Sequence, residues 1–404
     1  MNILVLTSIY PEPDDDKYSG ITPVVKNFCK EWIKKGHKVY VIHNSNYYPK
    51  LFYLLPNKIL KKINSILGIV IPRPEQRYFL KTEEKGIVSY RLPMLKIFPR
   101  HISSEKQIEA QYKKIEDILN TNSFTPDVIL GHWENPQIQL LAKMSVFLNV
   151  KTSLVFHGLS YINQKRYVDD LRKLIKKIDY VGARSKTIAN DVHSILNLRE
   201  KPFMCYSGVA DQYFKDNETI SNLIEYKPKN SYLFVGRLIK RKNVESIMFA
   251  LDEIYGNEDY NLDIIGDGGE NKHLTVIANS LNAKKNIKFR GQKKHDEVIR
   301  LMGHTEVFIM ISKNETFGLV YIEAMSQGCI VIASKNSGMD GVIKNGLNGY
   351  LCEQGNKDEL VKICKKIRKM SKKEKTELAL NAVKTAKKYS ESNVAKNYIN
   401  NLMQ

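Results

Sequence analysis

Two doubly wound α/β domains are what the sequence predicts, on three observations. Short apolar runs alternate with amphipathic stretches through the first half of the chain. The same alternation restarts beyond residue 229, and 404 residues are enough to bury two cores. In the first half, Ile3–Leu6, Val39–Ile42, Val128–Leu130, Ser153–Phe156 and Asp179–Val181 read as buried strands, with helices at Val24–Lys35 and Glu105–Leu119 between them. In the second half the strands are Tyr232–Val235, Leu262–Ile265, Ile287–Phe289, Val307–Ile311, Ile330–Ala333 and Tyr350–Leu351. The helices are Glu245–Ile254, Asn271–Leu281, Asp296–Met302, Gly318–Ser326 and Asp358–Met370.

The expected boundaries are a first domain over 1–205, a linker over 206–229, a second domain over 230–386 and a final helix over 387–404. The linker is placed there because Asp211–Lys229 is polar, irregular in pattern and carries Pro228. The final helix shows one apolar stripe, Val394, Tyr398, Ile399 and Leu402.

Composition narrows the class. Hydrophobic content of 43% and charged content of 26% are ordinary for a globular protein. The five cysteines form no C-x-x-C pair and are odd in number, which excludes a disulfide framework and a zinc pattern. The N-terminus lacks the cationic lead and long apolar core of a signal peptide, and no apolar run reaches the ~18 residues of a membrane span. A cytoplasmic protein is expected, able to sit peripherally at the inner face of the cell membrane. A net charge of +20 favours anionic partners: phosphorylated substrates, anionic lipid or nucleic acid.

Ligands of doubly wound folds bind where strands end and helices begin, so chemistry is sought there. The segment Ser312–Met325 follows a strand and opens a helix. Thr316 is placed to cap that helix, and Gly318 lets a ligand approach the backbone. The free amides near Gly318, Leu319 and Val320 suit a diphosphate, while Glu315 and Glu323 each offer two acceptors to paired sugar hydroxyls. An ordinary strand–loop–helix with one capping acid and one buried, paired acid fits the same spacing.

At the end of the second domain's first strand, Gly236 permits a tight turn, and Arg237 and Lys242 are placed to clamp phosphate oxygens; Lys240 and Arg241 read as solvated. Gly266-Asp267-Gly268 after the next strand is compatible with a nucleotide-facing loop, or with a plain turn. In the first domain, Ser19-Gly20 lies in a long loop after the first strand, and Asp14-Asp15-Asp16 in that loop reads as solvated rather than metal-binding. His157 ends one strand, where it could contact a transferred sugar. His132 has the same placement on another.

In this order, these motifs resemble the retaining glycosyltransferases of family 4, which have the GT-B fold. The E-x7-E pair Glu315–Glu323, set in E-x-F-G and followed by E-A-M-x-x-G, carries most of the likeness. The resemblance implies that Arg237 and Lys242 hold the donor diphosphate, with Gly20, Gly236 and Gly266 near it. Glu323 would bind the nucleotide ribose. Glu315 would face the donor hexose with the backbone of Thr316, Phe317, Gly318, Leu319 and Val320. His157 would sit near the transferred sugar, and the final helix would cross back to the first domain.

It further implies retention of anomeric configuration, no metal or other cofactor, and a nucleotide-sugar donor, expected to be UDP-linked. A hexose or N-acetylhexosamine would pass to a glycan or lipid-linked glycan acceptor. Gly341 stands where many relatives carry an acid, with Asp340 one position early. A sugar-nucleotide epimerase of the same fold and a basic nucleic-acid-binding protein are the competing readings. No nucleic-acid motif supports the latter, and no nucleic-acid partner is expected.

Residues 50–100 hold eleven Lys or Arg against three acids. Within them Ile59, Leu60, Ile63, Ile66, Leu67 and Val70 share one helical face, with Lys58, Lys61 and Lys62 opposite. With the aromatics Tyr47, Tyr48, Phe52 and Tyr53, this pattern predicts peripheral contact with an anionic membrane through residues 47–100. A surface helix packed on the first domain would show it too.

Overall fold

A computed structural model describes residues 1–11, 21–56, 59, 77–98, 101–282 and 284–403, without the side chains of 165 and 166. The chain divides into two compact units. The first comprises residues 1–184, 188–205 and 395–404, and the second comprises residues 185–187 and 206–394.

In the first unit the described elements are β1 (Asn2–Thr7), α1 (Val24–Lys34), β2 (Lys38–Tyr47), β3 (Leu80–Glu84), β4 (Ile87–Leu95), α2 (Glu105–Thr121), β5 (Val128–His132), α3 (Gln137–Leu148), β6 (Lys151–Phe156), α4 (Lys165–Ile175), β7 (Tyr180–Ala183), α5 (Lys186–Leu196) and β8 (Phe203–Met204). The first residues of α5 count with the second unit. The sheet order is β3-β4-β2-β1-β5-β6-β7-β8, with β3 the one antiparallel neighbour. Ile3, Leu4, Val5, Leu6, Ile42 and Phe156 are fully buried, as strands covered on both faces require. The order reverses between β1 and β5, where Thr7 pairs with His132. Helix α2 is started by a capping box between Ser104 and Gln107.

The second unit contains α6 (Asn217–Glu225), β9 (Ser231–Val235), α7 (Val244–Tyr255), β10 (Asn261–Ile265), α8 (Asn271–Ser280), β11 (Ile287–Gly291), α9 (His295–Gly303), β12 (Val307–Met310), α10 (Leu319–Ser326), β13 (Ile330–Ser334), β14 (Tyr350–Cys352), α11 (Lys357–Lys369) and α12 (Lys372–Lys387). Its sheet, β11-β10-β9-β12-β13-β14, is all parallel in the 3-2-1-4-5-6 order of dinucleotide-binding folds. Leu233, Phe234, Ile264, Phe308, Ile309 and Ile332 line its core without exposure. Each such side chain contributes roughly 1.5–3 kcal/mol by leaving water.

Residues 217–225, expected to be irregular linker, form α6 instead, started by the Asp216 carboxylate accepting from the Thr219 amide at 2.7 Å. Helix α13 (Glu391–Met403) contributes residues 395–404 to the first unit. There Tyr398 packs edge-on against Phe28 and Trp32 at 5.5 and 5.6 Å, and Trp32 Nε1 donates to the Ala395 carbonyl at 3.1 Å.

The five cysteines are free and buried. Within residues 47–100, Leu80–Glu84 and Ile87–Leu95 form a hairpin about a Lys85-Gly86 turn, where the sequence pattern suggested no strand. The amphipathic stretch around Ile63–Val70, with Leu60, Lys58, Lys61 and Lys62, lies outside the described residues. So do Ser19-Gly20 and Asp14–Asp16. Among the described residues no helix is long and apolar enough to cross a membrane.

Candidate functional site

The second sheet reverses its order between β9 and β12, and the loops leaving those two strands carry most of the residues singled out by sequence. After β9 the chain turns through Gly236 and an exposed Arg237, and buried Leu238 anchors the turn. The Gly236 amide donates to the Ile265 carbonyl at 3.0 Å and the Leu238 amide to the Asp267 carbonyl at 3.0 Å, zipping this loop to the one after β10. The two loops approach so closely at Gly266 that a Cβ there would lie 1.9 Å from the Gly236 oxygen.

A short 3-10 turn over Lys240–Lys242 then delivers Lys242 inward. Its ammonium is buried and donates to Glu315 Oε2 at 2.5 Å and to Met310 Sδ at 3.5 Å. Burial pulls the Lys242 pKa down, against the pull of the Glu315 carboxylate in the other direction. Arg241, expected to be solvated, also reaches Glu315 Oε2 at 3.5 Å and donates to the Lys313 carbonyl at 3.3 Å. Glu315 is thus an acid held between two cations.

Its backbone is held as firmly. The Glu315 amide donates to Ser337 Oγ at 3.0 Å, and its carbonyl accepts from the Gly338 amide at 2.9 Å. Asp340, one position before Gly341, accepts from the Asn336 amide at 2.9 Å and so holds the same turn.

Thr316 does not cap α10. It is exposed, and the helix begins at Leu319 behind Gly318, whose φ of 81° is left-handed and whose Cβ position would meet the Tyr321 ring at 2.5 Å. Glycine starts this helix by conformation rather than by a side-chain acceptor. The amides of its first turn, Leu319 and Val320 among them, have no carbonyl one turn back within the helix. Phe317 is buried against Tyr206 and Tyr389.

Glu323 lies within α10, almost fully buried, and its Oε1 meets His295 Nε2 at 2.8 Å. The other ring nitrogen, Nδ1, faces the Tyr213 hydroxyl at 3.1 Å, and that hydroxyl donates to Asp296 at 2.6 Å. Because the hydroxyl proton is committed to Asp296, both imidazole nitrogens face acceptors, which favours the doubly protonated ring. The His295 pKa is raised, chiefly by the hydrogen bond to Glu323, with burial opposing.

The favoured cation is fully present below the ordinary histidine value and is lost as pH rises through the raised one. Glu323→Gln is therefore expected to bring the His295 pKa back toward its ordinary value, read from the ring proton shifts in an NMR pH titration. An unchanged titration would dissolve the pair. Neither His295 nor Tyr213 was legible as a site residue, because the partner acid is 28 positions away.

In the first unit, His132 ends β5, and His157 follows the end of β6. His132 Nδ1 and His157 Nε2 are 3.0 Å apart. The His157 ring stacks on Trp133 at 3.8 Å, and Trp133 adopts a left-handed φ of 63°, a strained backbone of the kind concentrated at functional sites. Burial, then the nearby Arg184 guanidinium, depresses both histidines, His132 to about 3. Both rings are therefore neutral at neutral pH, and one donates to the other. Gly20 lies outside the described residues.

Two Rossmann-like units, one carrying paired cations and acids where its strand order reverses, define the GT-B class of glycosyltransferase fold. Solved structures of that class align over almost the whole chain. An Anabaena HepE structure in complex with UDP matches with a TM-score of 0.67 at 16% identity, covering 100% of both chains. A Rickettsia africae glycosyltransferase matches with a TM-score of 0.69 at 16% identity, covering 99% of this chain and 97% of that one.

Residues 215–389 match the family model of the glycosyl transferases group 1. It is 27% identical to an uncharacterized glycosyltransferase of Methanocaldococcus jannaschii over 79% of this chain and 86% of that protein. It is 25% identical to the N-acetyl-alpha-D-glucosaminyl L-malate synthase of Bacillus anthracis, over 62% of this chain and 65% of the relative.

Proposed function

We propose that the protein is a retaining, metal-independent glycosyltransferase of family 4. It moves a hexose or N-acetylhexosamine from a nucleotide-diphosphate sugar, UDP-linked, to a glycan or lipid-linked glycan in polysaccharide or glycoconjugate synthesis. The observation that carries this reading is the buried Lys242–Glu315 pair beside exposed Arg237, at the reversal point of a six-stranded parallel sheet. A cation such as Lys242, fixed in a poorly solvated position, favours the negative charge that develops on a departing diphosphate, and it needs no reorganisation as that charge forms.

In this reading Arg237 and Lys242 hold the diphosphate, and the Thr316–Val320 backbone lies against it and the hexose. Glu315 orients the hexose, Glu323 accepts from the ribose hydroxyls, and neutral His157 hydrogen-bonds the transferred sugar. The UDP bound in a solved structure of the same fold, and the N-acetyl-alpha-D-glucosaminyl group in the name of the Bacillus anthracis relative, support the donor class.

A thermal-shift series with UDP-, GDP- and ADP-sugars tests it, since a ligand that binds only the folded state raises the transition temperature. A UDP-sugar is expected to give the largest shift, and turnover is expected to persist in excess EDTA. Arg237→Ala should lower kcat/KM by one to two decades, because a charge-assisted hydrogen bond contributes roughly 1.5–3 kcal/mol. Glu323→Ala should mainly raise the donor KM. Wild-type kinetics in both variants would overturn the site.

The protein is further proposed to act in the cytoplasm at the inner face of the membrane. Leu51 and Leu54 project from a 3-10 turn at 78% exposure each, and Ile97 is 62% exposed, all within the cationic segment 47–100. Sedimentation with anionic liposomes is expected at low salt and to weaken as salt rises. No binding at either low or physiological salt would end the proposal.

A further inference from the structure

Glu323 is an acid set in the largely apolar helix α10, between buried Ile322 and Ala324. Among the described residues, His295 is the only hydrogen-bond partner of its carboxylate. The two side chains differ in exposure, 10% for Glu323 against 54% for His295. The acid is therefore shielded, while the ring that holds it is open to solvent and to proton exchange.

The ring is held in turn from its far side. Tyr213, which ends a 3-10 turn over Asp211–Tyr213, sets its own ring edge-on to the imidazole at 5.3 Å and its hydroxyl 3.1 Å from Nδ1. The Tyr213 carbonyl accepts at 2.8 Å from Nε2 of Gln327, the residue after the end of α10. The path Glu323–His295–Tyr213–Gln327 thus leaves α10 and returns to it. A carboxylate fixed in this way has already lost the rotamer freedom that a loose one would lose on meeting a ligand. The bond to His295 occupies Oε1 and leaves Oε2 to that ligand.

We propose that the His295 imidazolium is a positioning group for nucleotide binding, fixing the Glu323 carboxylate through Oε1 so that Oε2 meets the ribose hydroxyls. This rests on the ribose role given to Glu323 above.

Nucleotide affinity then depends on pH. The charges acting on the ring are acidic: Glu323 from α10, Asp296 beside it on α9 and Glu391 from the start of α13. Burial and the amide dipoles at the N-terminus of α9 oppose them. With the His295 pKa raised, affinity for UDP is greatest below the ordinary histidine value and falls as pH rises through the raised one.

The test uses the full chain and UDP, with 2′,3′-dideoxyuridine diphosphate as a probe that lacks the ribose hydroxyls, and reads Kd by calorimetry. His295→Leu is expected to weaken UDP about tenfold and the dideoxy nucleotide less than about twofold. A residue that merely supports the fold would weaken both alike. His295→Gln keeps an amide donor for Oε1 and should bring UDP affinity back to within about threefold of wild type. Between about pH 6 and about pH 9, wild-type affinity should fall relative to that of His295→Gln, a ratio in which the titration of the nucleotide itself cancels.

Equal losses for the two nucleotides in His295→Leu, or a ratio flat with pH, overturn the proposal. If Glu323→Ala weakens UDP and His295→Leu does not, the ribose role stands and this proposal alone falls. If UDP fails to bind the wild-type chain at any pH, the donor reading falls and this proposal falls with it.

Discussion

Replacing Lys242 with methionine is expected to lower kcat/KM for the donor at least a hundredfold. The substitution removes a cation proposed to face the diphosphate, a contact of roughly 1.5–3 kcal/mol. It also strands Glu315, whose side chain is only 15% exposed, beside a remaining partner, Arg241, that reaches it at 3.5 Å from a side chain 46% exposed. An acid left so shielded without its close partner destabilises the loop and misplaces its carboxylate. The transition temperature should therefore fall together with the rate.

Arg241→Met is the control. Its pair is long and solvent-screened, so kinetics within about threefold of wild type are expected. The double variant Lys242→Met with Glu315→Gln should lose less than the sum of the two single losses, since the groups act as a unit. A Lys242→Met protein with unaltered kinetics and stability would remove this pair from any role in the site.

Gly266→Ala is expected to cost about 3–5 kcal/mol of stability, among the larger losses a single methyl group can cause. The new Cβ would stand 1.9 Å from the Gly236 carbonyl oxygen, where two backbone loops are already hydrogen-bonded to each other. The native φ of 130° is also one that side chains other than glycine's hydrogen rarely tolerate. Relief would require parting the loops after β9 and β10, which carries Gly236 and Arg237 out of register with Glu315. Gly269→Ala, three residues on, meets nothing within 4 Å and should be close to neutral. Denaturant midpoints for the two variants decide the matter, and equal midpoints would refute the clash.

The second sheet was readable because its strands are buried on both faces and appear as compact β-rich runs such as Tyr232–Val235 and Val307–Ile311. Once that order is known, Arg237, Lys242, Glu315 and Glu323 are located by adjacency in sequence to strand ends. What escaped were elements whose apolar signal is thin. Helix α6 buries Ile220 alone, and α12 presents Leu378, Ala379, Ala382, Val383 and Ala386, a face of mostly small residues amid lysines. The β3–β4 hairpin hides under charge, because Lys81, Glu83 and Arg91 interrupt its alternation.

In the site, local spacing could suggest that Glu323 is buried and paired but not that His295 is its partner, nor that Arg241 shares Glu315 with Lys242. Thr316 misled for a different reason. A hydroxyl ahead of a helix is a common start signal, but here the left-handed glycine two residues later determines where the helix begins.

Tyr398 and Ala395, which close over Phe28 and Trp32, are synthesised after the whole of the second unit. The ring of Tyr398 also lies edge-on to His132 at 5.7 Å. A nascent chain that has emerged only as far as residue 205 thus carries an unsealed aromatic patch against its histidine pair. Completion of this half must wait on the ribosome delivering a segment nearly two hundred codons downstream, so a message truncated before codon 395 would yield a product whose first unit lacks its lid.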